Sequence, residues 1–199
     1  MSISKEEDDA QQVWSRYFAV TQALPAHAIF DRSEPFLPSS GTAIDLGCGG
    51  GRGTLWLLEH GFKVVAVDVS EEGLSYLRGK LPPDAPAELI CSNFMDLELD
   101  TYDVVVACFT LFFLTPPEFE TFWPRVVDAI KPSGLFMGQF LGINDSWNER
   151  GFTVHDRSAV DELLKGFEVL ELQEEERDGE TALKEPKHWH VFHVIARKL

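Results

Sequence analysis

Chemistry in this chain concentrates in nine residues, Asp45-Leu46-Gly47-Cys48-Gly49-Gly50-Gly51-Arg52-Gly53. Glycines let a backbone approach a ligand closely and take dihedrals that side chains forbid. An apolar run, Thr42-Ala43-Ile44, leads into the stretch, and Thr54-Leu55-Trp56-Leu57-Leu58 leaves it with helical character. The order is therefore strand, glycine-rich turn, helix, the context of a nucleotide or cofactor loop. A helix start beside the turn offers unpaired N–H groups and the positive end of its dipole. A phosphate-gripping loop ends in Gly-Lys-Ser/Thr, whereas this one ends in Arg52-Gly53-Thr54 with no lysine. The dinucleotide fingerprint G-x-G-x-x-G also fits poorly, because its last glycine falls on Arg52, Thr54 or Trp56 in the three possible registers. An acid two places before G-x-G-x-G is matched at every position by Asp45, Gly47, Gly49 and Gly51.

A second acid has matching chemistry. Lys63-Val64-Val65-Ala66-Val67-Asp68 is a buried-strand run that stops on Asp68, 21 residues past Gly47. At that spacing a carboxylate at the end of the second strand can accept from two vicinal ribose hydroxyls. Ser70 can cap the helix that follows, which would leave Asp68 free for a ligand.

The stretch from Asp45 to Gly51 resembles motif I of the class I methyltransferases that use S-adenosylmethionine (SAM). The resemblance covers Thr42 to Leu141 strongly and the whole chain in layout, in the neighbourhood of small tellurite-resistance and thiopurine methyltransferase-like proteins. It implies an α/β fold, a Rossmann-like doubly wound sheet of seven mostly parallel strands with one antiparallel strand near the C-terminal edge. It also implies SAM as cofactor, a ligand whose methionine end is a zwitterion without a pyrophosphate, so a carboxylate such as Asp45 suits its ammonium. Gly47, Gly49 and Gly51 would shape the turn, and Asp68 would take the ribose. Ser92-Asn93-Phe94-Met95-Asp96-Leu97 matches the stretch that clamps adenine, with Asn93 standing where an Asp is usual and Phe94 beside it. Phe109-Thr110-Leu111-Phe112-Phe113-Leu114 lies where the methyl group is delivered, so Phe109 or Phe112 is expected in the pocket and the other rings in the core. No Asn-Pro-Pro-Tyr sequence is present, which argues against base amines of DNA and protein amides as acceptors.

Elements that must position these residues are legible around them. Residues 4–24 read as an acidic-started helix with Val13, Tyr17, Val20 and Leu24 at helical spacing, broken by Pro25, and a weaker helix covers 26–36. Trp14 and Tyr17 are candidates for a lid over the cofactor, or they pack on the core. Further strands are expected at 87–91, 102–108 and 135–141. Thr115-Pro116-Pro117-Glu118 opens a helix with a capping box, which Pro124 should kink or split. The polar loop 142–151, with Asn144 and Trp147, should face the acceptor. Residues 167–176 and 188–197 read as a closing hairpin turning at Asp178-Gly179. His188 and His190 share one strand face while His193 takes the other, so no local metal site is expected. One histidine, His190 first, is a candidate for the acceptor side, and His155, His188 and His190 are candidate bases for an oxygen or nitrogen acceptor.

With 199 residues, 44% of them apolar, one domain is the expectation. Residues 1–38 would form a helical lid, 42–141 the cofactor core and 142–199 the acceptor side. The net charge of −16 argues against nucleic acid and anionic membranes as partners. Cys48, Cys91 and Cys108 are scattered, which suits a reducing cytoplasm, and the charged start carries no apolar signal core. The expected function is methyl transfer from SAM to a small acceptor whose nucleophile (S, Se, Te, O or N) stays open. A non-catalytic SAM-binding protein and, less well supported by the glycine spacing, a nicotinamide oxidoreductase are the alternatives.

Overall fold

The computed structural model describes residues 5–199, with side chains from Gln12 onward. Its centre is a parallel array in which β1 (Gly41–Leu46) lies between β2 (Phe62–Asp68) and β4 (Tyr102–Ala107). The full path is β3-β2-β1-β4-β5-β8-β7, with β3 at Ala87–Cys91, β5 at Ile130–Gly142, β7 at Phe167–Glu180 and β8 at Pro186–Lys198. Only β8 on this path runs against the rest. A two-residue β6 (Val154–His155) pairs beside the end of β5 as an eighth strand. The seven expected strands and their single antiparallel member are present, with β6 added by the loop after β5.

Central strands are buried on both faces, which is why they read as nearly unbroken apolar runs. Along β4, Val104 and Val106 pack on one face with Ile29, Phe30 and Leu57. Val105 and Ala107 pack on the other with Phe119, Phe122 and Val126. Helices α2 (Ala28–Ser33) and α3 (Arg52–Glu59) therefore cover one side and α5 (Pro116–Ala129) the opposite side. Helix α4 (Glu71–Arg78) adds Leu74 and Leu77 beside Ala66 and Cys48. Strand order reverses between β1 and β4, and their diverging carboxyl ends leave the crevice in which such folds hold ligands.

Four expectations need correction. Helix α1 (Lys5–Thr21) ends three residues short of Leu24, and Val13, Val20 and Leu24 face outward. Its inner face carries Trp14, Tyr17, Phe18 and Thr21, because α1 roofs a cavity lined by rings rather than an aliphatic sheet face. Helix α5 runs through Pro124 without splitting, its start fixed by the Thr115 N–H donating to Glu118 at 2.8 Å. Strand β5 starts at Ile130 rather than at the expected 135, and within its added residues Ser133 takes a left-handed φ of 63° while the pairing with β4 shifts register. The hairpin turns at 181–185, so Asp178 and Gly179 are strand residues paired with His188 and Lys187. Asp156 caps α6 (Arg157–Leu163), which leads into that hairpin.

Candidate active site

A cavity of about 400 Å³ opens at the carboxyl ends of β1, β2 and β4 beneath α1. Its floor is the glycine turn. Gly47 has φ 70°, and a Cβ there would lie 2.1 Å from Thr110 Oγ1, so only glycine lets the turn and the post-β4 segment approach each other. Gly51 caps α3 at φ 84° and packs against Leu77, behind the cavity wall rather than on it. The N–H groups of Gly47 and Cys48 both donate to Val67 O, at 2.8 and 2.9 Å, and that of Gly51 donates to Cys48 O at 2.9 Å. The Gly49 N–H donates to Asp68 Oδ2 at 2.7 Å. At these four residues the turn therefore supplies a close, side-chain-free approach and no spare donors.

Two carboxylates face this floor. Asp45 is the penultimate residue of β1, is 3% exposed, and accepts from Thr54 Oγ1 at 2.7 Å. Burial pushes its pKa up to about 6, against the lowering by the Thr54 bond. No ion pair forms at Asp45 among the described residues. Asp68 ends β2, and burial raises its pKa against the backbone N–H groups of Ser70 and Gly49. Ser70 does cap α4 through Gly73 N–H at 3.2 Å. Asp68 is nevertheless not free. One oxygen holds Gly49 and the other accepts from Ser70 N at 2.9 Å, which locks the glycine turn to β2 while each oxygen keeps a second lone pair.

Asn93 and Phe94 also line the cavity. The Asn93 carboxamide is engaged within its own turn: its oxygen accepts from Asp96 N at 2.9 Å and its NH₂ donates to the Asp96 carboxylate. Phe94 stacks on Phe122 at 5.0 Å. Phe109 lines the wall with a left-handed φ of 53°, its ring 4.9 Å from His27.

A model of the methyltransferase-domain family matches residues 43–134, which span β1 to the start of β5. The match falls on the stretch that carries the glycine turn and both carboxylates, and the fold is one shared with solved SAM-dependent methyltransferases. It is 30% identical over 136 residues to YqeM of Bacillus subtilis, a methyltransferase by name, covering 63% of this chain and 54% of that one. It is 26% identical over 114 residues to the carboxy-S-adenosyl-L-methionine synthase of Shewanella sediminis, covering 54% and 47%. The chain thus spans about half the length of these relatives. Among solved structures, TehB from Haemophilus influenzae superposes with TM-score 0.77 at 17% identity, over 92% of this chain and 66% of that one. The N-methyltransferase NodS from Bradyrhizobium japonicum, in complex with S-adenosyl-L-homocysteine (SAH), gives TM-score 0.72 at 13% identity, over 94% and 97%.

Within this methyltransferase fold, Trp14 and Tyr17 do line the cavity. Phe112, Asn144, Trp147 and His190 do not. Phe112 is 2% exposed in an aromatic layer behind Phe109, together with Trp147 and Trp189. Asn144 donates to Glu176 on the surface, and His190 is buried between Glu174 and the Asn144 N–H. The candidate bases fail by position: His155 packs on Phe119 and Phe140, and His188 sits on the exposed hairpin between Glu176 and Asp178.

Sequence reasoning missed three features. His27 lines the cavity with its Nε2 3.0 Å from the Arg52 guanidinium, and burial plus Arg52 lower its pKa to about 4. Phe113 lines it too, 5.3 Å from Trp14. Behind them Lys187 and Asp145 form a buried ion pair, 1% and 0% exposed, with Lys187 Nζ 4.0 and 4.4 Å from the ring centres of Trp147 and Trp189. No local pattern marks any of the three. A lysine in a strand and an aspartate in a loop read as surface residues until the hairpin folds over.

Proposed function

We propose that this chain, acting as one domain, transfers the methyl group of SAM to a small-molecule acceptor. The observation that carries this is a pair of carboxylates, Asp45 and Asp68, facing one cavity across a glycine turn whose N–H groups at 47, 48, 49 and 51 are already spent. Such a floor fits the ammonium and ribose of SAM. Asp45, desolvated and without a cationic partner, takes the ammonium. Asp68 takes the ribose hydroxyls with its remaining lone pairs. Gly47 and Gly49 admit the ligand, and Gly51 fixes the start of α3. Asn93 and Phe94 border the adenine, with the Phe94 ring as the apolar surface. The lid expected over 1–38, whose first four residues lie outside the described ones, closes through Trp14 and Tyr17, residues 42–141 hold the cofactor, and 142–199 support the acceptor wall ending at Phe109.

Bound SAM supplies a methyl carbon already activated by its sulfonium, so alignment and dryness carry the reaction, and oriented reactants are worth roughly 7–11 kcal/mol. The protein's part is positioning and exclusion of water by Trp14, Phe109 and Phe113. His27 is a poor base, since its lone pair faces Arg52 and its pKa is about 4. Burial pushes the Cys48 and Cys108 thiols up, so neither is a nucleophile. An acceptor that arrives as its own nucleophile, such as a thiolate or a chalcogen anion, needs none of these groups as a base.

Calorimetric titration with SAM tests the cofactor assignment. Wild type binds, and Asp68→Ala weakens binding at least about tenfold, because hydrogen bonds to a charged acceptor are lost. Equal affinity in Asp68→Ala removes the ribose role, and no binding by wild type removes the whole proposal. Radiolabelled SAM incubated with a panel of small thiols and chalcogen oxyanions then reads methyl transfer directly.

A further inference from the structure

We infer that Gln139 is the positioning residue that holds Phe109 in its left-handed conformation and so fixes the cavity wall at the carboxyl end of β4. Gln139 interrupts an otherwise apolar, fully buried run on β5 and is itself 0% exposed. A buried carboxamide needs partners, and a partnerless one costs more than an apolar side chain of similar shape. Its partners are specific. Oε1 accepts the Phe109 N–H at 3.0 Å, and Nε2 lies 3.4 Å from His193 Nδ1 on the neighbouring strand, where Gln139 and His193 are register partners. The carboxamide can point only one way, since the flipped form would set two donors against each other at Phe109.

His193 is held in turn. Its Nε2 lies 3.5 Å from Glu175 Oε2 on β7, and burial with Arg32 nearby keeps the imidazole neutral. The neutral ring donates from Nε2 to Glu175 and accepts at Nδ1 from Gln139. A file of hydrogen bonds thus runs from the hairpin surface through His193 and Gln139 to the backbone of a cavity residue. A phenylalanine at φ 53° persists only where its surroundings over-determine it, and this file is what does so. Released, Phe109 relaxes to an ordinary backbone, and its ring leaves the slot between His27 and Trp189, 4.9 and 6.0 Å away.

The functional half of this inference rests on the SAM proposal; the structural half does not, and two readouts separate them. Amide hydrogen exchange followed by NMR reports Phe109 directly. Gln139→Met keeps side-chain volume and apolar packing and removes the acceptor. Exchange at the Phe109 amide then speeds up about tenfold, the scale of one hydrogen bond, while Val105 and Val106 in β4 stay protected. Titration with SAH shows affinity falling about tenfold in the same variant. His193→Leu, which leaves the acceptor but removes its backing, moves both readouts the same way by less, and decides the matter should Gln139→Met not fold. Unchanged exchange at Phe109, or a change spread over all of β4, overturns the positioning role. Faster exchange with unchanged SAH affinity overturns its bearing on the cavity. Wild type that ignores SAH sinks the cofactor assignment and leaves the exchange result standing.

Discussion

The β1–β2 end of the cavity is made of two carboxylates and bare Cα positions, while the opposite wall is made of rings carried by α1, the post-β4 segment and, one layer back, the hairpin. At the first end every support is nearby in the sheet. Thr54 holds Asp45, and Gly49 and Ser70 hold Asp68, across two adjacent parallel strands. At the second end the supports come from the far edge of the sheet: Lys187–Asp145 behind Trp147, and His193–Gln139 behind Phe109. One end is rigid because its geometry is local. The other depends on how the hairpin seats, which makes it the end free to vary with the acceptor.

Breaking that distant support gives the largest expected effect. Lys187→Met leaves Asp145 charged, wholly buried and without its cation, at a cost of about 3–5 kcal/mol in urea unfolding. Adding Asp145→Asn removes the orphan charge and keeps an acceptor for one of the Trp147 and His190 N–H groups, while its NH₂ faces the other, so stability returns in part and stays about 1–3 kcal/mol below wild type. If the two ends are as separate as their supports suggest, SAM affinity in the folded double variant stays within about threefold of wild type. A large loss of affinity there would join the two ends into one unit.

The local end is tested through Asp45. Its folded pKa of about 6 lies above its unfolded value, so the folded state binds more protons between those values. Apo-protein stability is therefore full below the unfolded pKa and falls as pH rises through about 6, by about 3 kcal/mol in all. Asp45→Asn abolishes that penalty and raises the apo melting temperature at pH 7. The same change removes the ammonium's partner and weakens SAM binding on the order of a hundredfold. In wild type, SAM binding weakens as pH drops below about 6, and binding there releases a proton that calorimetry in buffers of different ionisation enthalpy detects. A stabilised Asp45→Asn variant that still binds SAM normally would mean the acid serves the fold and not the ligand.

These two ends were not equally readable in the chain. Asp45, Gly47, Gly49 and Asp68 could be found because a strand–turn–strand crossing converts spacing directly into position. The sheet was readable for the same reason: β1, β2 and β4 are short apolar runs bounded by turn residues, and burial on both faces leaves them no other use. Across the cavity the rings come from positions 14, 109 and 113, and spacing says nothing about which of many aromatics meet. Trp147 and Phe112 were expected at the surface of the pocket and lie one layer behind it, because Phe109 and Phe113 occupy the front. The inward face of α1 was misjudged because aliphatic periodicity implies a packed sheet, and this helix spans a cavity.

Asn93 gives the smallest expected effect and the finest division between the ends. Its carboxamide holds the Asp96 N–H and carboxylate, so in this state it shapes a turn and offers adenine nothing. Asn93→Ala should then cost about 0.5–1 kcal/mol of stability, the scale of a lost local side-chain cap, and change SAM affinity by less than about threefold. That outcome leaves adenine to Phe94 and the backbone, and it makes the β1–β2 end one where Asp45 and Asp68 alone recognise the ligand by side-chain charge. An affinity loss beyond about tenfold would show the opposite, that the carboxamide leaves Asp96 to take the adenine amino group, since only a bond made to ligand costs that much in binding and so little in folding. The separation of a preset end from an adjustable one would then fail at its most local turn.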